Sequence, residues 1–83
     1  VQLRSEDITW QEIDGELVVL DTARSVYLTT NVAGATLTRL LTEERSLDEL
    51  ADALVEEFGI PRETAEADAR SFVTDLRDKG LLR

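Results

Sequence analysis

The chain has 83 residues, room for one domain with one small core, and its 42% hydrophobic content belongs to a globular class rather than a disordered one. It holds no cysteine and no histidine, which removes a disulfide framework, a thiolate metal site, and the commonest metal ligand and general base. With 18 acidic against 9 basic residues the net charge is −9, a balance that repels nucleic-acid phosphates.

Three strand-like segments come first. Ile8 and Trp10 alternate with Thr9 and Gln11 at the two-residue period of a half-buried strand, and Ile13 leads into Asp14–Gly15. Asp-Gly tolerates the positive φ values of a two-residue hairpin turn, so the chain is expected to reverse there. Glu16–Asp21 is a continuous apolar run with β-branched residues, as expected of the middle strand of three. After a turn at Thr22–Ala23, a third strand is expected over Arg24, Ser25, Val26, Tyr27 and Leu28, with Val26 and Leu28 on one face and Ser25 and Tyr27 on the other. It lacks proline and lysine, the usual protection of a sheet edge.

At Thr29–Asn31 the hydrophobic period becomes helical. Asn31 is an N-cap, and Ala33, Leu37, Leu40 and Leu41 form the buried stripe of a first helix. Ser46 and Glu49 make a capping box for a second helix, whose stripe is Leu47, Leu50, Ala51, Leu54, Val55 and Phe58 and whose stop is Gly59. The third begins at Pro61, placed at the first helical position, and carries Ala65, Ala69, Phe72, Val73 and Leu76 inward until Gly80 ends it. Leu81 and Leu82 are expected to fold back onto the core.

The expected fold is therefore α+β and winged-helix-like, a three-stranded antiparallel sheet followed by three helices, forming a single domain over residues 1–83. Winged helices often bind DNA, but the third helix mixes Glu63, Glu66, Asp68, Asp75 and Asp78 with Arg62, Arg70, Arg77 and Lys79 and offers no basic stripe. Neither nucleic acid nor a membrane is expected as a partner, since no apolar run approaches the roughly 20 residues that cross a bilayer. No basic-then-apolar signal segment opens the chain, and a cytoplasmic, non-enzymatic protein without cofactor or metal is expected.

Three stretches carry a resemblance: Val26–Leu37, Ser46–Ala51, and Ala67–Leu76 continuing through Gly80–Leu82. Together they are similar to the PqqD-like family, the recognition elements (RiPP recognition elements) for precursors of ribosomally made, modified peptides. The likeness runs from about Ile8 to Leu82, and the short form most resembles the B1 proteins of lasso-peptide biosynthesis. Many relatives have proline where this chain has Val32. The resemblance implies that a disordered leader peptide adds as a strand antiparallel to the third strand, in the groove between that strand and the third helix. It also implies leaders with a Tyr-x-x-Pro element, a B2-type leader peptidase and an ATP-dependent macrolactam-forming cyclase as partners.

Leader-binding candidates are the backbone of Arg24, Ser25, Val26, Tyr27 and Leu28, where Val26→Pro is expected to remove a ladder donor, and Asp68, Ala69, Phe72, Asp75 and Leu76 on the third helix. Each has a plainer alternative. Val26, Leu28, Phe72 and Leu76 fit core positions, Asp68 fits a solvated charge near the positive helix end, and Tyr27 fits an exposed strand aromatic or a contact with a partner protein.

Two other functions fit less well. Ser46-Leu47-Asp48 at a helix start resembles the phosphopantetheine site of acyl or peptidyl carrier proteins, but Glu49 completes a capping box there and the first third reads as strands. A PqqD-type peptide chaperone serving a radical enzyme stays within the binding class.

Overall fold

The computed structural model describes all 83 residues, Val1–Arg83. Strands β1 (Ile8–Ile13), β2 (Glu16–Asp21) and β3 (Val26–Thr30) precede helices α1 (Val32–Leu40), α2 (Leu47–Phe58) and α3 (Arg62–Asp78). The hairpin between β1 and β2 closes through Asp14 and Gly15, with φ of 53° and 81°, the paired positive values of a tight type I′ turn. It pairs Ile13 with Glu16 and sets the register out to Ile8 with Asp21. The sheet is antiparallel, in the order β1-β2-β3. Winged-helix-like describes this loosely, because the strands precede the helices in the chain.

Helices cover only one face of the sheet. Leu17, Val19 and Asp21 are buried on β2, whereas Leu20 between them is 38% exposed. The continuous apolar run is the middle strand, as expected, and its burial alternates, as an antiparallel sheet with one solvated face requires. Against the covered face pack Leu37 and Leu41, then Leu50, Ala51 and Leu54 of α2 and Ala65, Ala69, Val73 and Leu76 of α3.

The helix caps follow the local sequence with one shift. Asn31 Oδ1 accepts the Gly34 amide at 2.9 Å. Ser46 and Glu49 exchange bonds of 3.1 and 3.0 Å in the capping box, and Gly59 ends α2 at φ 63°. Pro61 is the N-cap of α3 rather than its first helical residue, since its ψ of 146° is extended. The buried face of α1 is also turned from the expected stripe: Gly34, Ala35, Leu37 and Thr38 are inside, and Ala33 and Leu40 are half-buried. Thr38 is tolerated there because its hydroxyl donates to the Gly34 carbonyl at 2.8 Å.

Both ends of the chain join the core. Leu81 is fully buried and Leu82 half-buried, as the fold-back expectation required. The N-terminal segment, which carries no periodic signal, joins the core too: Leu3 is 5% exposed, its amide donates to the Leu41 carbonyl, and it bridges Leu82.

Candidate functional site: the β3 edge and the α3 groove

Strand β3 is paired on one side only, so its other side is an open edge. Which of its groups face outward follows from hydrogen-bond alternation along β2. The pair flanking the two-residue turn, Ile13 and Glu16, is hydrogen-bonded in such hairpins, and Thr22 N–H donates to the Asp7 carbonyl at 2.9 Å. Even-numbered β2 residues thus bond to β1, leaving Leu17, Val19 and Asp21 to bond to their β3 partners Thr30, Leu28 and Val26. The N–H and C=O groups of Tyr27 and Thr29 point away from the sheet.

This corrects the expectation attached to Val26. Its amide serves the β2–β3 ladder, so a proline there breaks the sheet rather than the free edge. Strand β3 also starts and ends later than expected. Arg24 and Ser25 belong to the turn after β2, where Ser25 takes φ 58°, and the strand continues through Thr29 and Thr30. The Asp21 carboxylate shapes that turn by accepting the amides of Ala23 and Arg24 at 3.1 and 3.2 Å. The Arg24 guanidinium passes over Gly80, where a Cβ would collide with it.

Beside the open edge lies a groove in two sections. The first, a cleft of about 340 Å³, runs between the Thr29–Asn31 junction and α3, with Asp68, Ser71, Phe72 and Asp75 on its helical wall and Leu37 and Leu54 among its apolar lining. The second is flanked by Ser25 to Thr29 and by Lys79. Helix α3 therefore runs antiparallel to β3, with Asp68 toward the Thr30 end and Lys79 toward the Ser25 end.

A glycine permits this wall to form. A Cβ on Gly34 would stand 2.8 Å from Thr30 Cβ and 3.2 Å from Phe72 Cε1, so only a residue without a side chain lets the first turn of α1 sit between them.

The named candidates divide by position. Asp68, Phe72 and Asp75 face the first section together, and Val26, Tyr27 and Leu28 border the second. Phe72 and Leu28 are half-buried and also pack on the core, whereas Tyr27 is 64% exposed. Ala69 and Leu76 are wholly buried, so they support the groove from beneath and present no surface to a ligand. Ser46 Oγ is occupied in capping. Sequence reasoning omitted Thr29, Thr30, Gly34, Ser71 and Lys79. The β-branched pair Thr29–Thr30 is the sequence signal for the longer strand.

Residues 16–82 match the family described as Coenzyme PQQ synthesis protein D (PqqD). That span is most of the chain, and the protein belongs to this family. Two solved structures are similar along nearly their whole length. One, described as TbiB1 in complex with the TbiA(beta) leader peptide, is 30% identical with a TM-score of 0.84, over 100% of this chain and 95% of that one. The other, described as lasso peptide synthetase B1 complexed with the leader peptide, is 29% identical with a TM-score of 0.80, over 96% and 93%. No curated protein matches the chain. No helix is long and apolar enough to cross a membrane.

Proposed function

We propose that this protein, acting as one peptide-recognition domain over residues 1–83 in the cytoplasm, binds the leader of a ribosomally made precursor by strand addition. In this reading it delivers the leader to a B2-type peptidase and an ATP-dependent macrolactam-forming cyclase of lasso-peptide biosynthesis. The observation that carries it is the open β3 edge, with outward groups on Tyr27 and Thr29, lying beside a groove walled by α3. Two similar folds described as B1 proteins with leader peptides support it and favour the lasso assignment over a chaperone for a radical enzyme.

The outward groups of two residues offer four ladder bonds, each worth about 0.5–1.5 kcal/mol net. That sum is comparable with the roughly 2–5 kcal/mol or more needed to order a disordered peptide. Net affinity then comes from side chains entering the groove, such as the ring and proline of a Tyr-x-x-Pro element against the half-buried Phe72. The protein performs no bond-making in this scheme. It raises the effective concentration of the scissile segment at the peptidase by holding the adjoining leader in a common complex.

The test is calorimetric titration of the protein with the synthetic leader of the precursor gene beside its own, followed by amide NMR. Saturable binding that shifts the Tyr27 and Thr29 amides is expected. Absence of binding, or shifts confined to β1, overturns the reading.

A further inference from the structure

The two sections of the groove carry opposite charge. Asp68 and Asp75 are the only charged side chains lining the section near Thr30, and Lys79, the chain's single lysine, is the only one lining the section near Ser25. None of the three takes part in any ion pair of the fold. Asp75 and Lys79 stand four residues apart, a spacing that permits pairing along a helix, yet they remain separate and face different sections. By contrast, Arg62 on the far side of α3 gathers Asp48, Asp52 and Glu66. Glu63, Arg70, Arg77 and Asp78 of α3 make no ion pair either, so what distinguishes Asp68, Asp75 and Lys79 is their place in the two sections of the groove and their opposite sign.

We propose that this polarity orients and selects the bound peptide: an extended segment with a basic side chain toward its N-terminus and an acidic one a few residues later. The proposal rests on strand addition antiparallel to β3. Because α3 is itself antiparallel to β3, such a peptide runs parallel to α3 and meets Asp68 and Asp75 before Lys79. Spacing follows from geometry. Asp68 to Lys79 spans about 16 Å at 1.5 Å per helical residue. Asp75 to Lys79 spans about 6 Å, so at roughly 3.3 Å per strand residue the two peptide charges lie about two to five positions apart. A peptide of reversed polarity brings like charges together at both ends, a penalty that a net charge of −9 deepens at the acidic one.

Two synthetic peptides of about twelve residues test this, identical in composition and sharing a Tyr-x-x-Pro centre. The first carries Lys upstream and Glu about four positions downstream, and the second has the two exchanged. Fluorescence anisotropy at low salt is expected to show the first binding about five- to tenfold tighter, with the ratio falling toward one in about 0.5 M NaCl. In the triple variant Asp68→Lys, Asp75→Lys, Lys79→Glu the preference inverts. All three sites are exposed, and circular dichroism verifies the fold. Should the triple variant fail to fold, Lys79→Glu alone is expected to narrow the ratio. Equal affinities at low salt overturn the proposal. So does failure of both peptides to bind, and the neighbouring-gene leader titrated in parallel then shows whether strand addition falls with it or stands alone.

Discussion

Asp21, fully buried on β2, receives the guanidinium of Arg4, a residue 17 positions earlier in the N-terminal segment. The same carboxylate holds the amides of Ala23 and Arg24, so one buried acid joins the chain's beginning to the turn that launches β3. The position of the open β3 edge thereby depends on a charge with no exposure to solvent. Burial pushes this carboxyl up, but the Arg24 amide, the charge and hydrogen bond of Arg4, and the Ala23 amide outweigh it and hold it below the ordinary value of 3.8.

A folded-state value below the unfolded one means that the unfolded chain binds more protons in acid. Asp21 therefore contributes stability that is complete above 3.8 and is lost as the pH falls through its lower folded-state value. Urea unfolding at a series of pH values is expected to show Asp21→Asn less stable than the wild type at neutral pH, with a smaller further loss on acidification. Parallel pH profiles for the two proteins would assign the acid sensitivity to other carboxylates.

Proline scanning of β3 separates the outward amides from the inward ones. Thr29→Pro removes a donor that faces solvent, a position where edge strands tolerate proline, so the protein should fold while leader affinity drops about tenfold. Leu28→Pro and Val26→Pro interrupt the ladder to β2 and should lower the melting temperature sharply. Retained affinity in Thr29→Pro would show that the peptide does not use this edge.

Gly34→Ala tests the close approach beneath the groove. The added methyl must displace Thr30 or Phe72, at an expected cost of about 1–3 kcal/mol in denaturant unfolding. Leader binding should weaken as well, since both displaced side chains line or border the cleft. A variant as stable as the wild type would mean that the wall relaxes freely.

On the peptide side, ladder bonds tolerate any sequence and pockets do not. Alanine at the leader's Tyr or Pro should cost about 2 kcal/mol or more if each is a buried anchor, against little at most other positions. A flat alanine scan would remove the groove as a source of specificity.

Much of the fold could be read from local signals whose physics is local. The Asp14–Gly15 turn, the Asn31 and Ser46 caps and the Gly59 stop each satisfy backbone groups within three or four residues, so the chain itself declares them. The structure departs from the hydrophobic pattern where a polar side chain or a segment distant in sequence supplies a competing contact. Ser25 alternates as a strand residue would, but the Asp21 carboxylate draws the amides of Ala23 and Arg24 into a turn just before it. Leu3 lies in a segment without periodicity, and only its pairing with Leu82 and Leu41 reveals it as core.

The candidate site divides in the same way. Amphipathic spacing on α3 placed Ala65, Ala69, Phe72, Val73 and Leu76 on one stripe, because a 3.6-residue period is encoded in the order of apolar residues. Whether a residue at the margin of that stripe meets core or solvent depends on what packs opposite it. Ala69 and Leu76 are closed over by neighbouring elements, whereas Phe72 reaches the cleft because Gly34 leaves room for it. The outward direction of Tyr27 and Thr29 is likewise a property of pairing, since hydrogen-bond alternation has no origin until a turn sets it. Lys79 sits across the edge from Asp68 and Asp75 only after α3 has docked antiparallel to β3. Residue order determined which elements form and which faces are apolar, because those depend on neighbours along the chain. Packing between elements far apart in sequence decided which groups are left free to meet a peptide.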